Sequence, residues 1–322
     1  MTRCRVIYRL SCRAVRKKAT PISVMIGLTY RCQCQCVHCC SAGNPVRKED
    51  ELTTAEIRRV IQEAKDIGVL KVRFFGGEPL LREDIFELVR YAAEAGLITS
   101  MDTNGELLSR ETAQQLRAAG MCEIDISLDS DEEHIHDSLR NRGGSYGYAL
   151  KAIRHCQDAG ISCIISTYAR KQEVYNGYLK RIIAIARILR VDGVKILFPV
   201  STGKWLDMPS VCLSAKEKSY VQALIDSSFV FFEGQGNFNC ETCSMIKKEI
   251  FYISAYGQVW PCCFVPISFG NIRQQKLSEI LRRMWQSNVY AKEYTVCPMN
   301  NQRFKNTYAD SFLRDRYENS LC

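Results

Sequence analysis

The chain has no hydrophobic run long enough to cross a membrane. Its longest early apolar run, residues 21–30 (PISVMIGLTY), is too short for a spanning helix, and arginines interrupt the segment before it. We find no secretory signal peptide in it, so the 17 cysteines in 322 residues do not indicate a secreted disulfide framework. They indicate metal ligation in a reducing compartment, and we expect a cytoplasmic protein with no membrane attachment.

Acidic residues are absent before Glu49, whereas ten lysines and arginines lie in that stretch. These ten account for the net charge of +9, because the rest of the chain is close to neutral. Such a segment either attracts an acidic partner, for example a peptide or a phosphorylated substrate, or forms a solvated arm. We assign residues 1–20 to a basic N-terminal arm and do not expect nucleic acid as its partner.

Strand-like and helix-like segments alternate along residues 21–205. The first helix shows clear boundaries, with a capping box at Thr53 and Glu56 and a stop at Gly68. The alternation predicts an α/β fold whose parallel sheet, with right-handed crossovers, curves into a partial (β/α)6 barrel like a TIM barrel. The length leaves room for one smaller module. The predicted strands cover residues 22–28, 72–75, 98–101, 122–127, 161–167 and 194–198.

Three cysteines follow the first predicted strand with the spacing C-x3-C-x2-C, namely Cys32, Cys36 and Cys39. Three thiolates in one short loop can bind three irons of a 4Fe-4S cluster and leave the fourth iron open for chemistry. A structural zinc site would instead draw cysteine pairs into a closed shell of four ligands. Cys34 and Cys40 could join such a zinc site or remain buried thiols. The cysteines alone favour the open cluster and leave zinc as the alternative.

Three further motifs follow the next predicted strands: GGEP at 76–79, TNG at 103–105 and SLD at 127–129. The carboxyl ends of parallel barrel strands lie on one rim, so these motifs and the cysteine loop should surround one cavity. Their order resembles the radical S-adenosylmethionine (radical SAM) superfamily over about residues 22–200. The resemblance implies that Cys32, Cys36 and Cys39 hold a 4Fe-4S cluster whose open iron binds the amino and carboxylate groups of SAM.

The same resemblance assigns SAM-binding roles to residues in these motifs. Gly76 and Gly77 lack side chains, which lets the main chain approach the SAM ammonium group closely. Hydroxyl, amide and carboxylate groups at the other strand ends are suited to ribose or methionine recognition. The expected cofactor-binding residues are His38, Gly76, Gly77, Glu78, Pro79, Thr103, Asn104, Ser127 and Asp129.

A histidine-rich segment follows the SLD motif and contains His134, His136, Asp137 and Arg140. It resembles a family segment in which an arginine reaches SAM or the substrate. A surface histidine pair beside a solvated arginine is the simpler interpretation, and we leave these residues out of the catalytic set.

Residues 206–322 resemble the SPASM extension of radical SAM enzymes, which holds auxiliary iron-sulfur clusters. Cys243, Gly257 and Cys262 match its opening pattern C-x(9–15)-G-x4-C, but few of its later cysteines are present. We therefore expect a shorter, twitch-like α+β domain with one auxiliary 4Fe-4S cluster. Zinc in the same thiolates is the alternative metal. The predicted ligands are Cys240, Cys243, Cys262 and Cys297.

The resemblance implies an oxidoreductase that cleaves SAM reductively to a 5′-deoxyadenosyl radical, which then removes a hydrogen atom from a substrate. We favour maturation of a ribosomally made peptide by crosslinking, thioether formation or epimerisation. One alternative is a small-molecule dehydrogenase, epimerase or decarboxylase acting on an aminocyclitol, sugar nucleotide or tetrapyrrole. Another is a non-catalytic iron-sulfur scaffold. Cys263 could replace a ligand of the auxiliary cluster, and it is the one candidate hydrogen-atom donor.

Two partners follow from this interpretation. A radical SAM enzyme needs a reductant, and flavodoxin or ferredoxin is expected. About 20 residues precede the first predicted strand, fewer than a small independent domain needs, so recognition of a leader peptide would come from a separate protein or from the basic arm.

Overall fold

The computed structural model describes residues 21–226, 228–232, 243–291 and 297–308. The predicted arm at 1–20 and Cys240 lie outside the described residues. The strands are β1 (Ser23–Gly27), β2 (Lys71–Phe75), β3 (Ile98–Thr103), β4 (Glu123–Ser127), β5 (Ser162–Tyr168), β6 (Gly193–Leu197), β7 (Val230–Phe232), β8 (Ile250–Ile253) and β9 (Val259–Trp260). The helices are α1 (Thr54–Asp66), α2 (Ile85–Glu94), α3 (Arg110–Ala119), α4 (Glu133–Arg140), α5 (Ser145–Ala159), α6 (Tyr178–Ile188), α7 (Ala215–Gln222), α8 (Leu277–Gln286) and α9 (Gln302–Thr307).

All of these strands belong to one sheet in the order β7-β6-β5-β4-β3-β2-β1-β8-β9. Neighbours from β7 to β8 pair in parallel, and β9 pairs antiparallel to β8. A helix connects each pair of strands from β1 to β6, as parallel pairing requires. The predicted α/β fold with a parallel sheet is therefore confirmed, and each of the six predicted strands is present.

Charged side chains on the inner face show how strongly the sheet curves. Lys195 of β6 lies 2.7 Å from Asp102 of β3, although two strands separate them. Lys195 also lies 2.5 Å from Asp125, which pairs with Arg73 at 3.0 Å. Such contacts across two intervening strands require the sheet to curve strongly around its inner face, as in a partial barrel. They fill its lower part with paired charges, so the space above them is left for ligands.

The apolar core lies between the outer face of the sheet and the helices. In β2, Val72 and Phe74 are fully buried in this core, and their neighbours along the strand are more exposed. Helix α1 begins at the predicted capping box, in which the Thr53 hydroxyl accepts from the Glu56 backbone and the Glu56 carboxylate accepts from the Thr53 backbone. The strands that lead to the barrel rim are thus held by apolar packing against capped helices.

The C-terminal part of the chain extends the same sheet at both edges. Strand β7 adds beside β6, and β8 adds beside β1 with Ser23 opposite Ile250. Helix α8 joins α1 through a hydrogen bond of 2.8 Å from the Leu277 backbone to the Glu63 carboxylate. The proposed boundary at residue 205 stays a prediction, and strands from both sides of it share one sheet. Within the described part of the chain, every helix is too short or too polar to cross a bilayer.

Candidate active site

A cavity of about 580 Å³ opens at the carboxyl ends of the barrel strands; we call it the large cavity. Its lining includes residues at the ends of β2 to β6, as expected for motifs on one rim. The three predicted cluster ligands lie on the loop after β1 and face the same space. Among the predicted site residues, the lining contains Cys32, Cys36, Cys39, His38, Gly76, Gly77, Thr103, Asn104, Ser127 and Asp129.

The two glycines of GGEP hold the cysteine loop in place. The Gly77 N–H donates to the Thr29 carbonyl at 2.6 Å, and the Glu78 N–H donates to the Arg31 carbonyl at 2.8 Å. A Cβ atom on Gly76 would lie 2.2 Å from the Thr29 oxygen, and one on Gly77 would lie 2.2 Å from the Arg31 oxygen. Close backbone packing against the cysteine loop therefore requires glycine at both positions. Their contact with SAM stays a prediction.

Glu78 lies beneath the cavity and ties GGEP to TNG. One carboxylate oxygen accepts from the Thr103 hydroxyl at 2.8 Å and from the Leu80 N–H at 3.1 Å, and the other accepts from the Asn104 N–H at 2.9 Å. The residue is fully buried, and burial raises the pKa of Glu78 to about 7. Glu78 and Pro79 thus lie outside the cavity lining, where they shape the turn and position Asn104.

The segment after β6 closes over the cysteine loop from the other side. The Lys204 N–H donates to the Cys39 carbonyl at 3.1 Å, and its ammonium donates to the Gln35 carbonyl at 2.7 Å. A Cβ on Gly203, which has a φ of +56°, would lie 2.2 Å from the Cys39 oxygen. Neither residue was expected from the sequence, because a lone Gly-Lys pair after a strand carries no recognisable signal.

Helix α4 supplies a buried cation, Arg140, to the site. The solvated arginine expected from the sequence is therefore wrong for this residue. The Arg140 guanidinium lies 3.5 Å from the Cys36 sulfur and 2.6 Å from the Asp129 carboxylate. His136 is buried as well, and its Nδ1 accepts from the Asp129 N–H at 3.0 Å. The expected surface pair is therefore wrong for His136 and Arg140, while His134 is exposed as expected. The i, i+4 spacing of His136 and Arg140 was the signal that could have shown their shared helix face.

Charges around Arg140 fix the ionisation of its neighbours. Burial raises the pKa of Asp129, but the charge of Arg140, together with smaller contributions from nearby His and Arg side chains, outweighs burial and lowers this pKa to about 2. A hydrogen bond from the Cys34 thiol and the charge of Arg140 lower the pKa of Cys36 to about 6. Burial lowers the pKa of His38 to about 4, so its imidazole is neutral at pH 7. His38 packs against the Tyr168 ring with centroids 4.5 Å apart.

These residues fit a 4Fe-4S cluster with bound SAM. Three thiols face a cavity large enough for a ligand, and a guanidinium beside one of them stabilises a thiolate. The buried Asp129 Oδ1 has no hydrogen-bond partner among the described residues, so it can accept from a ligand in the cavity. Within the described ranges, no three His, Cys, Asp or Glu side chains converge tightly enough for a single metal ion, as a zinc shell would require.

A second cavity, of about 180 Å³, lies next to the large one and is called the small cavity below. Three of the predicted auxiliary ligands, Cys243, Cys262 and Cys297, line it together. Burial raises the pKa of Cys262 and of Cys297, so a bound cation is needed to hold them as thiolates at neutral pH. This arrangement fits an auxiliary cluster, with the ligand role of each cysteine still a prediction.

The fold and the two thiol-lined cavities define an iron-sulfur enzyme on a partial α/β barrel. The family model of the radical SAM superfamily matches residues 26–174, and that of the iron-sulfur cluster-binding SPASM domain matches residues 240–318. A PqqA peptide cyclase from Rhodopseudomonas palustris is 35% identical over 290 residues, covering 84% of this chain and 76% of that protein. The chain therefore belongs to the radical SAM superfamily and is a radical SAM enzyme with a C-terminal SPASM domain. SAM and 4Fe-4S clusters are its cofactors.

Other similar proteins have names that describe activities different from that of a peptide cyclase. An AdoMet-dependent heme synthase from Methanosarcina barkeri is 29% identical over 288 residues, covering 79% of this chain and 80% of that protein. Crystal structures of Streptococcus suis SuiB, one bound to S-adenosylmethionine and one to its precursor peptide SuiA, match with TM-scores of 0.66 at 18% identity. These matches cover 88% and 90% of this chain and 70% of SuiB. At this identity the likeness to SuiB establishes the fold.

Proposed function

We propose that this radical SAM enzyme modifies a ribosomally made peptide. The observation that carries the proposal is the 35% identity to a PqqA peptide cyclase along most of both chains. The fold of SuiB, a protein whose structure contains a bound precursor peptide, gives further support. The proposal covers three kinds of modification: a crosslink, a thioether or epimerisation of a residue.

The proposed division of labour follows from the site. When bound, the cluster at Cys32, Cys36 and Cys39 supplies the electron that splits SAM into methionine and a 5′-deoxyadenosyl radical. Arg140 holds the Cys36 thiolate, and the Asn104 amide lies 3.8 Å from the Cys32 sulfur.

A second candidate function is modification of a tetrapyrrole or a related small molecule. The heme synthase relative, 29% identical over a similar span, favours it. The two functions differ in substrate size, because a peptide must enter the large cavity as an extended segment, whereas a tetrapyrrole must fit inside it whole.

Both functions can be tested with the reconstituted full-length enzyme, SAM and dithionite. The probes are the PqqA and SuiA peptides in one arm and iron coproporphyrin III in the other. The peptide function predicts that a peptide raises the yield of 5′-deoxyadenosine and changes its own mass. A rise with iron coproporphyrin III alone would replace it by the second candidate. A peptide that leaves both the yield of 5′-deoxyadenosine and its own mass unchanged would contradict the peptide function. The flavodoxin or ferredoxin reductant, the leader-binding protein and the cytoplasmic location stay predictions.

A further inference from the structure

Three lysines on separate elements of the chain lie beside the small cavity. Lys218 belongs to α7 and lines the cavity itself. Lys171 lies in a short turn after β5, and Lys305 lies on α9. Burial raises the pKa of the Cys212 thiol, and the charges of all three lysines oppose this rise. The fold thus collects around Cys212 positive charge that is scattered in the sequence.

Hydrogen bonds place two of these lysines at the rim of the small cavity. Asn300 lines this cavity, and its Oδ1 accepts from the Ser201 N–H at 3.1 Å and from the Cys212 thiol at 3.2 Å. The Lys171 ammonium donates to the Cys212 carbonyl at 3.0 Å. The Lys305 ammonium donates to the Ser201 hydroxyl at 3.1 Å. Each ammonium group is therefore one residue away from the cavity wall.

Carboxylates do not neutralise this positive charge among the residues that the structure describes. The acidic residues on the elements that carry the three lysines are Glu173 and Glu217. Glu173 pairs with Arg170 at 2.6 Å, and the Glu217 carboxylate accepts from the Ser214 N–H at 2.6 Å, where it caps α7. The rim therefore carries a surplus of positive charge, which attracts an anionic partner.

Tyrosine side chains lie next to the lysines on the outer surface. Tyr175, four residues after Lys171, is 53% exposed, and its ring centroid lies 5.1 Å from that of Tyr220. Lys216 is exposed and lies one turn before Tyr220 on the same face of α7. Aromatic rings are enriched in protein–protein interfaces. We call Lys171, Lys216, Lys218, Lys305, Tyr175 and Tyr220 the lysine surface.

We propose that the lysine surface docks an acidic redox protein that supplies electrons to the cluster in the small cavity. The proposal rests on the assignment of a 4Fe-4S cluster to Cys243, Cys262 and Cys297, and it holds for a peptide and for a tetrapyrrole substrate alike. Cys263 lines the same cavity, and its role as a ligand or a hydrogen donor stays a prediction. In each encounter the partner loses one electron, and the cluster gains it and passes from the 2+ to the 1+ state.

The position of the lysine surface favours a redox partner over an acidic segment of the substrate. The lysines surround the small cavity, whereas the motifs that bind SAM surround the large one. A protein docked on the lysines has its own redox centre separated from the cluster site by few side chains. Redox encounters use small interfaces, and attraction between opposite charges speeds their formation. The lysine surface fits a partner that binds and leaves in every catalytic cycle.

The test uses the reconstituted full-length enzyme and, as the probe, a flavodoxin of net negative charge. Fully reduced flavodoxin is mixed with oxidised enzyme in a stopped-flow instrument, and the absorbance of its flavin gives the rate of electron transfer. Salt screens the attraction, so the wild-type rate should fall by about tenfold or more between about 50 mM and about 500 mM salt. A wild-type rate that is independent of salt would contradict the proposal.

A double variant removes two charges of the lysine surface without touching either cavity. Lys171 and Lys305 line neither the large nor the small cavity. Lys171→Gln combined with Lys305→Gln should lower the rate at low salt by about tenfold and remove most of its salt dependence. The matched control is Lys65→Gln combined with Lys151→Gln, which removes the same charge from α1 and α5. Equal rates in the two double variants would overturn the proposal.

Two further variants identify the cluster that receives the electron. Cys36→Ala, which lacks the first cluster, should accept electrons from flavodoxin at the wild-type rate, whereas Cys262→Ala should not. The opposite result would place electron entry at the large cavity and contradict the proposal. Iron analysis and complete reduction by dithionite show in each double variant that the clusters are loaded, so a slow rate cannot come from their loss.

The same proteins distinguish a redox partner from an acidic substrate segment. With dithionite as the reductant, the lysine double variant should form as much 5′-deoxyadenosine with the PqqA and SuiA peptides as the wild type does. Loss of this formation together with an unchanged flavodoxin rate would assign the lysine surface to the substrate and overturn the proposal. Absence of 5′-deoxyadenosine from the wild type would instead contradict the radical SAM activity, and the flavodoxin rates would still test the docking.

Discussion

The two thiol-lined cavities differ in what holds them together. The large cavity is built on strand ends, and the backbone of its cysteine loop is held by GGEP on one side and by Gly203 and Lys204 on the other. The small cavity is lined chiefly by residues after β6, by α7 and by the loops that contain Cys243, Cys262 and Cys297. The first therefore rests mainly on the barrel sheet, and the second rests mainly on loops of the C-terminal part of the chain.

This contrast indicates a division of function. The large cavity combines a buried ion pair, a neutral histidine and an unpaired carboxylate oxygen, all of which are suited to binding a charged ligand. The small cavity is mostly apolar and encloses thiols whose pKa values burial raises, which is suited to a bound metal group rather than to a charged ligand.

The largest effect should come from substituting a cysteine of the large cavity by alanine and comparing it with the same substitution in the small cavity. Cys36→Ala should abolish 5′-deoxyadenosine formation, because SAM cleavage requires the first cluster. Cys262→Ala should keep SAM cleavage and lower the iron content from about eight to about four atoms per chain. Iron analysis and chromatography of the products measure both. Loss of SAM cleavage in both variants would mean that the two sites are one functional unit.

The next effect concerns the support of the cysteine loop. Gly203→Ala places a Cβ 2.2 Å from the Cys39 oxygen, so the loop must shift and cluster loading should fall to a small fraction of wild type. Gly160→Ala is the matched control, since Gly160 has a φ of +69° but open space around its Cβ position. In both variants, alanine in a left-handed backbone conformation costs about 1–2 kcal/mol. Only the Gly203→Ala side chain also clashes with the cysteine loop. Absorbance near the iron-sulfur charge-transfer bands measures the loading, and equal loading in the two variants would contradict the account.

A smaller effect is expected from the buried cation. Arg140→Met leaves Asp129 buried without its ion-pair partner, which should lower the free energy of unfolding by about 3–5 kcal/mol. Arg142→Met removes a 2.6 Å pair with Glu106 in which the arginine is 42% exposed, and it should unfold like the wild type. Urea denaturation of both proteins gives the difference. Equal stability would show that Asp129 finds another partner when Arg140 is absent.

The smallest effect is a pH dependence. The Glu78 pKa is 4.5 in the unfolded reference and about 7 when buried, so the folded chain holds the extra proton between these values. The free energy of unfolding should therefore fall by about 3 kcal/mol as the pH rises from 4.5 to 7, and stay level above 7. Glu78→Gln should remove this component, and Glu83→Gln, whose side chain is 95% exposed, should keep it. Urea denaturation at several pH values measures the free energy of unfolding. If it depends on pH in the same way for the wild type and Glu78→Gln, Glu78 is not the source of the pH dependence.

Sequence patterns predicted the strands well because buried parallel strands are short apolar runs with strong turn signals at their ends. They also predicted which strand ends carry chemistry, since the position of a motif after a strand is visible in the sequence. The roles of Gly76 and Gly77 were harder, because their contact with the Thr29 and Arg31 carbonyls joins segments about 45 residues apart. Similarly, the burial of Arg140 depends on Cys36, 104 residues away. Such long-range pairs leave no local periodicity.

The C-terminal strands escaped prediction as parts of the barrel sheet for a related reason. Strand β7 is only three residues long, and β8 has four, so neither carries enough pattern to indicate that it joins the barrel sheet. The sequence therefore indicated only a C-terminal module, and the pairing of β8 with β1 was not visible in it.

That pairing has a consequence for the order in which the enzyme matures. Strand β1, which leads into the cysteine loop, has its second neighbour only when Ile250–Ile253 docks beside it. Contacts between residues so far apart in sequence form slowly and, during synthesis, only after most of the chain has left the ribosome. The cysteine loop therefore reaches its final shape late, and loading of the first cluster should follow completion of the chain rather than accompany it.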